Sequence, residues 1–310
     1  MIFIIKRLLI LNLFFYFFCY GSYALENKIL FKVDNEIVTS QDLLNEINYL
    51  AALNPEIQNL DENVIIEIAK NSILREKIKR IELKKNFNKL EIEEKYIDQV
   101  IKSTFSQKNI QNFNDLSNFF LLKNIDIRNI KTKISTDILW NELILNKFSK
   151  QVKIDKEQVK NEILNSSKEK KLYLLSEILF NIENSDNLEE KYLLIKKSIN
   201  EKGFNNAALI YSVADTSKNG GELGWIDENS LNKTVKNKIS KLSLGQHTEP
   251  IFTPGGYLIL NIKNIKIQKT KINYDEEFEK IIKIKTNEQL NQFSNIYFNK
   301  VKKDIILDGI

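Results

Sequence analysis

The stretch that decides how this chain is read is NGGELGW, residues 219–225. Three glycines, Gly220, Gly221 and Gly224, interrupt a sequence made largely of Lys, Asn, Ile, Leu and Glu. Glycine reaches backbone angles closed to other residues, so the run reads as a loop of tight turns. Working outward, seven of the nine glycines and two of the three prolines fall between 203 and 256. That clustering marks a loop-rich unit set inside helical sequence, with limits near 167–171 and 268–271.

Inside the unit the period changes. LYLLSEILF (172–180) is rich in strand formers and reads as a strand. Helices are predicted at 188–201, from 205 onward and at 233–242, and YLILNIKNIKI (257–267) reads as a closing strand. The order is β-α-α-loop-α-β, with 219–225 as the loop. Outside the unit, ILFKVDNEIVTSQDLLNEI (29–47) reads as a short hairpin turning at Asp34-Asn35, followed by a helix. Thr39 or Ser40 caps that helix, and Leu43, Leu44, Ile47 and Leu50 form its apolar face. Further helices are predicted at 61–87, 91–106, 113–122, 126–149, 155–165 and 275–302, with a short strand within 304–310. The fold class is α+β: mainly helical sequence over 25–170 and again over 270–310, with an α+β unit, 171–268, set between.

At 310 residues, 43% hydrophobic and 28% charged, the composition is that of a globular chain long enough for two domains. Residues 1–24 differ from the rest. Lys6 and Arg7 precede an apolar run over 8–20, and Ser22-Tyr23-Ala24 offers small residues at the positions a signal peptidase reads. Cleavage after Ala24 is expected, with a retained membrane anchor as the alternative. It would leave a net charge of +3 in place of +5 and remove Cys19, the only cysteine. No basic block remains to bind nucleic acid, and no phosphate loop points to a nucleotide. With His247 the only histidine, no Cys/His metal site is possible, and no cofactor is expected.

NGGELGW, a short helix and then LSLGQHTEPIFTPGGYLIL (242–260) together resemble the parvulin family of peptidyl-prolyl isomerases, across about 171–268. VDNEIVTSQDLLNEI (33–47), ILREKIKRIELKKNF (73–87) and KLEIEEKYIDQVI (89–101) look like the N-terminal chaperone domain of SurA-type periplasmic proteins. In that family a C-terminal helix and strand return to complete the chaperone domain, as the resumption of helical sequence at 275 implies here.

Proline isomerisation breaks no covalent bond. It lowers a barrier of ~18–20 kcal/mol by stabilising a twisted amide, which needs an apolar pocket and oriented polar groups. The family supplies two histidines, a Cys or Asp, and apolar pocket residues. Glu177 and Leu258 stand at the two histidine positions, while His247 is offset from both and reads as a surface turn residue. The Cys/Asp position falls on Ala214, or on Asp215 if one gap is allowed. Asp215 and Glu177 are therefore the catalytic candidates, although an aspartate in VADTS is equally a turn former.

The resemblance also implies proline or peptide binding by Ile226, Leu231, Val235, Tyr257 and Leu258. Leu231 and Val235 are four apart and share a helical face, which suits a pocket floor bordered by Ile226, Asp215 and Tyr257, and equally suits a core helix. The glycine loop either borders that cleft or only closes the fold. The expected function is a periplasmic folding factor binding unfolded or extended polypeptide, with outer-membrane proteins as clients and weak isomerase activity. The rivals are a fully active isomerase and a membrane-anchored form of the same chaperone.

Overall fold

The computed structural model describes residues 27–105, 109–123, 125–164, 169–182, 187–269 and 273–309. The expected signal segment, 1–24, lies outside them.

Strands β1 (Ile29–Val33) and β2 (Glu36–Thr39) form the hairpin, with Asp34 in the left-handed region at φ 50°. Of the two capping candidates, Thr39 holds the position. Its side chain accepts from the Asp42 N–H, while the Asp42 carboxylate accepts from the Thr39 N–H, a reciprocal capping box. Helix α1 (Ser40–Leu53) ends where Pro55 cannot continue it. Then follow α2 (Glu62–Asn86), α3 (Glu94–Thr104), α4 (Phe113–Leu121), α5 (Ile127–Phe148) and α6 (Lys156–Leu164).

The central unit contains β3 (Glu169–Phe180), α7 (Leu188–Lys202), α8 (Phe204–Tyr211), β4 (Glu222–Asp227), α9 (Lys233–Ile239), β5 (Ile251–Thr253) and β6 (Gly256–Lys269). Its sheet has the order β4-β3-β6-β5, with each neighbouring pair antiparallel. The two-strand reading is thus corrected to four. Much of the stretch expected as a loop is β4, where Trp225 pairs with Leu174 and Gly224 with Leu175. Glycine lowers local strand preference; pairing with β3, some fifty residues earlier, overrides it. Helix α9 covers one sheet face and α7 and α8 the other.

The last helix, α10 (Tyr274–Lys303), returns to the beginning of the chain. Phe278, Ile281 and Ile282 pack on Val159 and Ile163 of α6. Farther along, Phe298 and Val301 share a core with Phe31, Val33, Ile78 and Trp140. The Trp140 indole donates to Ser294 Oγ at 2.8 Å, satisfying its buried N–H. Strand β7 (Leu307–Asp308) pairs with β1 and makes the hairpin three-stranded. A second helical core joins Tyr49, Leu50, Ile97, Ile101, Leu116, Phe120 and Ile130.

Candidate functional site

The glycine loop brings two backbones together. Gly220, Gly221 and Gly224 have φ of 68°, 77° and 78°. At Gly221 the requirement is absolute, since a Cβ there would lie 2.1 Å from the Glu177 carbonyl oxygen. The approach is held by the Glu177 N–H donating to the Gly221 carbonyl at 2.8 Å. Glycine at 221 thus lets the loop dock on β3 beside Glu177.

Glu177, expected at a family histidine position, is half-buried. Burial foremost, with the nearby Asp215 and Glu288 carboxylates adding to it, pushes its pKa up to about 7. Thr216 Oγ1 donates to Glu177 Oε1 at 2.8 Å and opposes the shift. The side-chain hydrogen-bond partner of Glu177 is thus Thr216.

Asp215 faces the helical part. Lys79 Nζ lies 2.9 Å from its Oδ1, and Arg75 lies 3.4 Å away. Lys79, itself buried, also holds Asp137 of α5 at 2.9 Å, and Lys218 holds Asp137 at 3.2 Å. Burial pushes the Asp215 carboxyl up, but Lys79, Arg75 and Lys218 outweigh it and hold it below the usual carboxylate range. Asp215, the expected catalytic aspartate, thus ties the inserted unit to helices α2 and α5. No spacing rule links residues 136 positions apart, so the sequence carries no signal for this seam.

The expected apolar set divides in two. Leu231, 8% exposed, and Val235, 5% exposed, are core residues packed with Tyr173, Leu175, Ile239 and Leu260; Ile226 and Leu258 pack against the same cluster. Tyr257 belongs to the opposite face, stacked on Phe180 at 5.8 Å and edge-on to Phe252 at 5.6 Å. The single pocket expected from these residues is thus corrected, because successive strand residues point to opposite faces and Tyr257 and Leu258 must part. His247 bonds the neighbouring Thr248 carbonyl through Nδ1 at 3.0 Å, a local turn contact.

Tyr257 instead borders a cleft of about 1290 Å³ between the inserted unit and the helical part. Its walls include Arg75 and Ile78 of α2, Phe252 and Tyr257 of the β5–β6 hairpin, and Phe298 and Lys302 of α10. Arg75 stacks over the Phe298 ring at 4.5 Å, and Phe252 is 75% exposed. Phe252 was not singled out from the sequence, where nothing separates it from a buried strand aromatic.

Residues 178–264 match the rotamase family, described as the PPIC-type PPIASE domain. Over 286 residues the chain is 22% identical to the chaperone SurA of Pseudomonas aeruginosa, covering 84% of this chain and 65% of that one. This is a SurA-like chain with a parvulin-type rotamase domain. The SurA-like chain spans about two thirds of the length of that relative. It is also 38% identical over 53 residues to the periplasmic chaperone PpiD of Haemophilus influenzae, covering 17% of this chain and 8% of that one. Among solved structures it is similar to one from a study of PEB4 and Cj1289, two SurA-like chaperones of Campylobacter jejuni. There the identity is 17%, the coverage 91% of this chain and 98% of that one, and the TM-score 0.35. Among the described residues no helix is long and apolar enough to cross a membrane.

Proposed function

We propose that the chain is a periplasmic folding factor that holds extended polypeptide segments in the cleft between the rotamase domain and the helical part. The observation that carries this reading is the cleft itself. At about 1290 Å³ it exceeds the ~300–1,000 Å³ of small-molecule sites, and it joins an exposed aromatic hairpin to two helices. Aromatic and cationic walls favour extended segments containing aromatic residues, through stacking and weak, reversible apolar contact. Outer-membrane proteins, whose strands alternate apolar and polar residues, are the proposed clients.

Isomerase activity is proposed to be weak. A twisted amide is stabilised by polar groups aimed at it. Here Glu177 is bonded to Thr216, Leu258 has no polar atom to offer, and Asp215 is held by Lys79. The test is a protease-coupled proline-isomerisation assay run beside suppression of aggregation of an unfolded outer-membrane protein. Suppression with isomerisation near the uncatalysed rate is expected. Isomerisation far above that rate without suppression would overturn the proposal in favour of an enzyme. Export is checked by N-terminal sequencing of envelope protein, which should begin at Leu25; an intact 1–24 segment in the membrane fraction would indicate an anchored form.

A further inference from the structure

A second pocket, of about 240 Å³, lies in the helical part on the face of α2 opposite the cleft. Ile73, Glu76, Lys77 and Arg80 of α2 line it, whereas Asn71, Ser72, Arg75 and Ile78 line the cleft. Its base is apolar and buried, formed by Tyr49, Ile73, Ile125 and Ile130. Its rim is exposed and carries amides, Asn48 and Asn129.

The charges in the lining are largely spoken for. Lys133 bridges Glu46, at 2.6 Å, and Glu76, and Ser72 donates to Glu46. Lys77 pairs with Glu36 at 2.8 Å, Asp126 pairs with Arg128 at 2.7 Å, and Asp42 is engaged by the Thr39 cap. Arg80 differs: the half-buried guanidinium has no ion pair or hydrogen bond among the described residues. A planar guanidinium presents a fork of donors matched to a carboxylate. An unpaired Arg beside an apolar base, with rim amides able to bond a peptide backbone, defines a ligand with one carboxylate, one apolar group and amide linkages.

We propose that this pocket captures the C-terminal carboxylate of an extended polypeptide, with Arg80 as counter-ion and the isoleucine base receiving the last side chain. The volume admits one terminal residue, so the site reads the chain end and leaves the preceding segment free to continue over the rim. It is separate from the cleft, and its test stands whether or not the cleft holds clients.

The experiment titrates fluorescently labelled short peptides ending in leucine against the full chain by anisotropy, each as free acid and as C-terminal amide. The free acid should bind roughly tenfold more tightly than the amide, as a charge-assisted bidentate contact implies. Arg80→Gln should remove that difference by weakening the acid and leaving the amide unchanged, and Arg80→Lys should restore part of it. Equal affinity of acid and amide for the unaltered chain would overturn the proposal without recourse to any variant. So would equal weakening of both peptides by Arg80→Gln. If N-acetyl-leucine displaces the labelled acid as well as the unlabelled peptide does, the pocket takes small carboxylic acids and the chain-end assignment fails.

Discussion

The two faces of the rotamase sheet are built from the same strands and have opposite fates. Toward α9, Leu175, Leu231, Val235 and Leu260 close into a sealed core. Toward the other side, Phe180 and Tyr257 lead out to Phe252, which is 75% exposed beside the cleft. Apolar spacing is the same signal in both cases. Whether a side chain becomes core or contact surface depends on which element covers it. The same lesson separates two carboxylates: Asp215 meets three cations, whereas Glu177 meets a hydroxyl and two like charges.

The largest expected effect tests whether the helical part is one unit made from both ends of the chain. Deleting 275–310 should abolish cooperative melting and cause aggregation, because Phe31, Val33, Ile78 and Trp140 would lose the cover of Phe298 and Val301. A truncated chain that melts as sharply as the whole would break this account. Next, Leu231→Ala should destabilise the rotamase domain by about 2–5 kcal/mol while leaving peptide affinity per folded molecule unchanged. A loss of affinity at constant melting temperature would turn the sealed face back into a pocket.

The carboxylates give smaller effects of opposite sign. For Glu177, the folded chain holds a proton up to about pH 7, whereas the unfolded chain releases it near the ordinary glutamate value. Between those values only the folded state is protonated, so stability falls as pH rises and the penalty is complete above about pH 7. Glu177→Gln should therefore stabilise the chain at pH 8 by about 1–2 kcal/mol, with little effect at pH 5. Urea denaturation at the two pH values checks this.

For Asp215 the folded value lies below the unfolded one. Its contribution is present above the ordinary aspartate range and is lost as pH falls through the folded value. Because the side chain is 42% exposed, Asp215→Asn should cost only about 1 kcal/mol and less at high salt. The smallest effect on stability is expected at Phe252. Its replacement by alanine should change stability by less than about 0.5 kcal/mol, yet weaken capture of aromatic peptides. Unchanged capture would remove the hairpin from the binding surface.

Local chemistry made much of this fold legible. The hairpin turn at Asp34-Asn35, the cap at Thr39 and the positions of the helices depend on neighbours within one or two turns. Strand β4 was hidden because Gly224 and the two glycines before it argue against a strand and only β3 argues for it. Of the candidate site, the glycine loop was legible because a positive φ selects its residue type wherever it occurs. The roles of Asp215, Tyr257, Phe252 and Arg80 were not.

By itself the sequence determined the α+β class, the order of most elements and the glycine run at 220, 221 and 224 that marks tight turns. The tertiary structure alone decided that Lys79 reaches Asp215 across 136 residues and that Tyr257 and Leu258 serve different faces. The physical reason is range. Backbone preference and capping act over a few residues and leave their mark in residue type. Burial and ion pairing depend on which distant surface arrives, and a leucine or an aspartate is spelled the same way whatever it meets.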